Sequence, residues 1–106
     1  MIKIVFFGEK ELLRGFEAKG HALYSRKKDV LCAAVSALTT HTAKALNERF
    51  KNLRIYEQEK GYMKLEILNT TDVLSQEMLK ALVDSLRDLQ ERFPKHISVE
   101  VKIDGT

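Results

Sequence analysis

The chain has 106 residues, 44% of them hydrophobic and 31% charged, with a formal net charge of +3. That length suffices for one core and is too short for two domains, and one proline with five glycines excludes a low-complexity tail or disordered linker. A single cysteine excludes an internal disulfide, so nothing calls for an oxidising compartment.

The opening, Ile2 to Phe7, is β-branched and aromatic and reads as a buried strand ending at Gly8. Glu9, Lys10, Glu11 and Arg14 follow at once, so this start builds no secretory apolar region. Leu12 to Ala18 alternates weakly and pairs with the first strand through a turn at Gly8–Glu11. Gly20 marks a bend, and residues 22 to 28 read as a polar loop containing Arg26-Lys27-Lys28. Three cations are too few for a nucleic-acid-binding face, and such a triplet is most simply solvated.

Asp29 has the chemistry of an N-cap, and a helical pattern runs from Val30 to about Asn47. At ~100° per residue, Val30, Leu31, Ala34, Val35, Leu38, Ala45 and Leu46 share one face. Cys32 lies roughly 120° from the middle of that face, beside Ser36, Thr39 and Ala43. The longest nearly apolar run, Val30 to Leu38, is about half of the ~20 residues a membrane-spanning helix needs. The expectation is a cytoplasmic protein with no membrane partner.

Leu53 to Glu57 and Tyr62 to Leu68 read as two strands joined near Lys60-Gly61, with Met63, Leu65 and Ile67 on one face of the second. Asn69-Thr70-Thr71-Asp72 supplies turn and capping chemistry. A second helix carries the stripe Leu79, Leu82, Val83, Leu86, Leu89 and Phe93, and Pro94 stops it. A last strand, Ile97 to Ile103, alternates apolar residues on one face. The order is ββαββαβ, and the expected fold is a two-layer α/β (α+β) sandwich: a mixed five-stranded sheet with two helices on one face.

A thiol and an imidazole are the minimum equipment for nucleophilic attack at neutral pH. With Asp29 as the cap, Cys32 is the third helical residue, over the unpaired amides of the first turn. Those amides favour a thiolate and are suited to hold an oxyanion. His41 is about 13.5 Å further along the same helix and cannot reach, and the sequence leaves His96 unplaced. His21, which leads through a short loop back to the helix, is the candidate base. One cysteine and one histidine eleven residues apart lack the ligand count and spacing of a zinc site, so no metal or cofactor is expected. Free cysteines are usually inert small hydrophobes, and composition and pattern alone leave the function open.

Gly20-His21-Ala22 followed by Asp29-Val30-Leu31-Cys32-Ala33-Ala34-Val35-Ser36-Ala37-Leu38 resembles the Prp family of ribosomal-processing cysteine proteases. The likeness covers nearly the whole chain, including Gly61-Tyr62 and Phe93-Pro94-Lys95-His96-Ile97. The resemblance implies a homodimer that trims an apolar N-terminal extension from bacterial large-ribosomal-subunit protein twenty-seven, cutting after a phenylalanine pair. It implies Cys32 as nucleophile and His21 as general base, with Gly20, Asp29 and Ser36 in supporting positions. Compared with the family pattern, the loop Leu23–Lys28 is a residue shorter, basic and without glycine. Tyr24, Arg26, Lys27 and Lys28 are therefore the expected substrate-binding loop, and an association with the ribosome is a further expectation. The apolar substrate side chains are expected in a pocket lined partly by the Phe6-Phe7 or Tyr24 region. The second reading is a non-catalytic ribosome- or RNA-associated binding module with an incidental thiol. A purely structural dimerising domain is the third.

Overall fold

The computed structural model describes residues 1–20 and 26–104. Its elements are β1 (Ile2–Glu9), β2 (Leu12–Lys19), α1 (Arg26–Lys44), a π-helical turn (Ala45–Arg49), β3 (Ile55–Glu59), β4 (Tyr62–Glu66), α2 (Val73–Arg92) and β5 (Ile97–Asp104). The ββαββαβ order is the expected one. The five strands form one mixed sheet in the order β3-β4-β2-β1-β5. β1 runs parallel to β5 and antiparallel to β2, which pairs with β4, and β4 with β3. Hairpins join the antiparallel neighbours β1–β2 and β3–β4, while α1 and α2 form the longer connections.

Alternation decides the core. Ile2, Ile4 and Phe6 of β1, Met63 and Leu65 of β4, and Ile97 and Val99 of β5 are buried under Leu31, Val35 and Leu46 from the first helical stretch and Leu79, Leu82, Val83 and Leu86 of α2. Phe6 and Phe16 pack against each other across β1 and β2 in a tilted arrangement, with ring centroids 5.3 Å apart. α2 begins where capping chemistry predicts: the Asp72 carboxylate accepts from Ser75 N–H at 3.1 Å and from its hydroxyl at 2.5 Å. It ends at Arg92, just before Phe93-Pro94.

The turn between β1 and β2 is tighter than expected. Lys10 and Glu11 alone make it, both with positive φ, as a two-residue hairpin of the right twist demands. Gly8 belongs to β1, where the register shifts: Phe7 faces Gly15 while Gly8 faces Leu13, leaving Arg14 as an extra residue. Beside this bulge, Gln76 of α2 holds the Leu13 backbone. Leu13 N–H donates to Gln76 Oε1 at 2.9 Å, and Gln76 Nε2 donates to the carbonyls of Leu13 at 2.6 Å and Thr70 at 2.9 Å.

Two expectations for α1 are corrected. The helix starts at Arg26, because Arg and Lys are good helix formers and the basic triplet extends the helix rather than interrupting it. Asp29 is thus its fourth residue, not its cap, and Arg26-Lys27-Lys28 is its first turn, not a loop. The buried face is also turned relative to the sequence-based wheel. Val30 is 63% exposed, whereas Thr39, Thr42 and Ala43 are buried. The threonine hydroxyls tolerate this by donating to carbonyls one turn back, Thr39 to Val35 at 2.8 Å and Thr42 to Leu38 at 2.9 Å.

Candidate active site

A cavity of about 280 Å³ opens between the Cys32 side of α1 and the helix-facing side of β2, β3 and β4. Cys32, Val35, Ser36 and Thr39 form its helical wall, Ile2, Ala18 and Met63 its apolar floor, and the Lys60-Gly61 turn its rim. Cys32 and Ser36 are one helical turn apart and Thr39 nearly a second, so the three share a side of α1. Cys32 is half-buried, packed against the core and lining this space. Thr39, expected beside it on a polar surface, is instead 2% exposed and closes the deep end.

Gly20, at the end of β2, lines the same cavity. Its φ is +104°, and a Cβ there would overlap the Met1 carbonyl oxygen, so the position requires glycine. Gly20 N–H donates to the Gly61 carbonyl at 3.0 Å, and Gly61 has a φ of 78°. This pair ties the strand end that leads into His21 to the β3–β4 hairpin.

His21 and Tyr24, with the rest of residues 21–25, lie outside the described residues. The structure therefore brings together Gly20, Cys32 and Ser36. The backbone of Arg26, Lys27, Lys28 and Asp29 is the first turn of α1. As the seventh helical residue, Cys32 sits beyond the unpaired first-turn amides, which belong to residues 26–28. That removes the expected oxyanion donors. Among the other histidines, His41 is exposed on α1. His96 leads into β5, its carbonyl accepting from Ile2 N–H at 2.9 Å, and it does not line the cavity.

The expected Phe6-Phe7 lining is also corrected. Phe6 is fully buried in the core. Phe7 points to the opposite face of the sheet, where it lines a groove with Val5, Glu17, Lys64 and Lys102. Strand alternation forces the two rings to opposite faces, and the apolar floor near Cys32 comes from Ile2, Ala18 and Met63 instead. Sequence reading missed these three because they lie on three different strands.

Lys19, Glu59 and Lys60 line the cavity with charge of both signs, and Glu17, on the opposite face of the sheet, binds two of the lining residues. Tyr62 donates its hydroxyl to Glu17 Oε2 at 3.0 Å across β4 and β2, and Lys19 lies 3.3 Å from the other Glu17 oxygen. Burial raises the Glu17 carboxyl, but the Tyr62 and Lys19 hydrogen bonds and the Lys19 and Lys64 charges outweigh it and hold it below the usual range. Burial, then the Glu17 hydrogen bond and charge, push the Tyr62 phenol above its ordinary value. Among the described residues no three His, Cys, Asp or Glu side chains gather as metal ligands, and no helix is long and apolar enough to cross a membrane.

The family profile described as cysteine protease Prp matches residues 1–98. SMU.848 from Streptococcus mutans is 27% identical, over 98% of this chain and 99% of that one, with a TM-score of 0.87. The ribosomal processing protease Prp from S. aureus, in complex with a covalently linked product peptide, is 19% identical over 95% and 99% of the two chains, with a TM-score of 0.86. The same S. aureus protease in complex with a substrate peptide superimposes with a TM-score of 0.84, at 19% identity over 95% and 99% of the two chains. No curated protein sequence matches the chain. Cys32 borders a sheet-floored cavity, and with the profile spanning most of its length the chain belongs to the Prp family of cysteine proteases.

Proposed function

We propose that this protein is an endopeptidase that removes the apolar N-terminal extension of bacterial large-ribosomal-subunit protein twenty-seven, with Cys32 as nucleophile and His21 as general base. The observation that carries this reading is the shared cavity: Cys32 from α1 and Gly20, the residue before His21, line one space with an apolar floor. The S. aureus relative, a ribosomal processing protease bound to a covalently linked product peptide, has the same fold and supports the same chemistry.

The Cys32 sulfur attacks the scissile carbonyl carbon and forms a thioester as the C–N bond breaks. His21 takes the thiol proton and returns it to the departing amine, and water then releases the acid from the enzyme. Ser36, one turn from Cys32, borders the same space and shapes what can approach the sulfur. Asp29, one turn before Cys32 in the first turn of α1, suits the positive end of the helix and supports that start.

Tyr24, Arg26, Lys27 and Lys28 form the segment that meets substrate or ribosome, and the enzyme works as a homodimer in the cytoplasm. Changing Arg26, Lys27 and Lys28 to alanine tests the basic part: an unchanged rate and an unchanged salt dependence overturn it.

The deciding experiment is mass spectrometry of the unprocessed ribosomal protein after incubation with this protein or with Cys32→Ala. Loss of the N-terminal extension with the wild type alone is the expected result. Cleavage by both proteins, or by neither, overturns the assignment.

A further inference from the structure

β3 is the terminal strand of the sheet, next to β4. Which of its backbone groups face β4 follows from the far side of β4. Gly20 N–H donates to the Gly61 carbonyl at 3.0 Å, and Ile67 N–H to the Arg14 carbonyl at 2.8 Å. The odd-numbered residues along β4 therefore turn their backbone groups toward β2. Alternate residues of an antiparallel strand address opposite neighbours, so Tyr62, Lys64 and Glu66 address β3. Their register partners are Glu59, Glu57 and Ile55. The N–H and C=O groups of Tyr56 and Gln58 are thus directed to the outer edge, where no further strand lies among the described residues.

This edge is continuous with the active-site cavity. Tyr56 and Gln58 are the register partners of Leu65 and Met63, on the helix-facing side of the sheet. The Tyr56 hydroxyl donates to Gln58 Oε1 at 2.7 Å, and Gln58 lines the cavity that holds Cys32. The other edge of the sheet is treated differently. Val99 N–H of β5 donates to Gln90 Oε1 of α2 at 2.5 Å, so a side chain occupies that edge at Val99. No residue of β5 lines the cavity. An edge strand with open backbone groups is a template for another extended chain.

We propose that the substrate's extended segment adds to the sheet along β3, pairing with the backbone of Tyr56 and Gln58, and that this pairing carries the scissile bond to Cys32. The proposal rests on the endopeptidase reading above. The two outward-facing residues are spaced by ~6.8 Å, the repeat of every second residue in an extended peptide. Backbone pairing supplies affinity that depends little on sequence, while every second substrate side chain turns toward the cavity for selection.

The test is binding of a fluorescein-labelled peptide spanning the phenylalanine-pair segment, read by anisotropy on the Cys32→Ala protein so that nothing turns over. Gln58→Pro in that background deletes the outward N–H and removes no bond to β4. Gln58→Ala, which loses the side chain and keeps the N–H, is its reference. The proline variant is expected to bind about 5- to 10-fold more weakly than the alanine variant, the effect of one hydrogen bond; equal binding overturns the proposal.

A second series guards against distortion of β3 by proline. Peptides N-methylated at single successive positions are expected to lose about 5- to 10-fold in affinity at every second position near the cavity, and a profile without that alternation overturns the pairing. If Gln58→Pro converts a homodimer to monomers and peptide binding is unchanged, the edge belongs to a second copy and the proposal fails. The affinities judge the edge and Cys32-dependent cleavage judges the thiol, so the two readings fail separately.

Discussion

Gly20 N–H donates to the Gly61 carbonyl oxygen at 3.0 Å, joining the last residue before His21 to the tip of the β3–β4 hairpin. The bond depends on a φ of +104° at Gly20, where a Cβ would also overlap the Met1 carbonyl. Gly20→Ala is expected to lower stability by about 1–3 kcal/mol, because the strand end must shift. Cleavage should fall by more than the unfolded fraction explains, since the shift re-aims the chain entering His21. Urea unfolding and peptide cleavage, measured on the same preparation, check both parts.

Ser36 borders the cavity one turn beyond Cys32 and is solvent-exposed. A bulky residue there fills space that a substrate needs without disturbing the core. Ser36→Leu is expected to reduce kcat/KM at least ~10-fold while stability moves by less than about 0.5 kcal/mol. Ser36→Ala should retain most of the activity, and equal activity of the two variants contradicts a steric role.

Asn52, 4% exposed, joins three segments. Its amide nitrogen donates to the Asn69 carbonyl at 2.9 Å and the Ser75 hydroxyl at 2.8 Å, and its oxygen accepts from Asn69 N–H at 2.6 Å. Asn52→Ala removes a partner from the Asn69 N–H and carbonyl, which are part-buried, and from the buried Ser75 hydroxyl, at an expected cost of about 1–3 kcal/mol. Chemical denaturation should show the loss. The rate of Cys32 alkylation under native conditions should not change, because the network lies at the β4–α2 corner, away from the cavity.

The Glu17–Tyr62 pair gives stability a dependence on pH at both ends. Glu17 has a lowered carboxyl pKa in the folded state, so its contribution is complete above the ordinary carboxylate value and is lost as pH falls through the lowered one. Tyr62 has a raised pKa, so its contribution is present below the ordinary tyrosine value and is lost as pH rises through the raised one. Melting temperature against pH should show a shallower acid limb for Glu17→Gln and a shallower alkaline limb for Tyr62→Phe.

Local chemistry in the sequence determined most of the architecture. Alternation at Met63 and Leu65, the cap at Asp72, the stripe from Leu79 to Leu89 and the stop at Pro94 each depend on neighbours a few residues away and match the observed elements. β4, by contrast, ends at Glu66, before the expected Ile67 and Leu68. The family could be read from the Gly20-His21 and Asp29–Ser36 segments because residue identity alone carries that signal.

Tertiary structure decided what depends on distant partners. Strand order rests on long-range pairings such as Ile2 with Ile97, which no local pattern encodes. The rotation of α1 that buries Thr39 and leaves Val30 exposed follows from packing on α2 and the sheet, since both threonine hydroxyls can bond within the helix and the polarity scale then misleads. The apolar floor beneath Cys32 combines Ile2, Ala18 and Met63 from three strands. The open backbone edge at Tyr56 and Gln58 exists because β3 is the terminal strand of the sheet, and a strand's position in a sheet is a property of the whole fold.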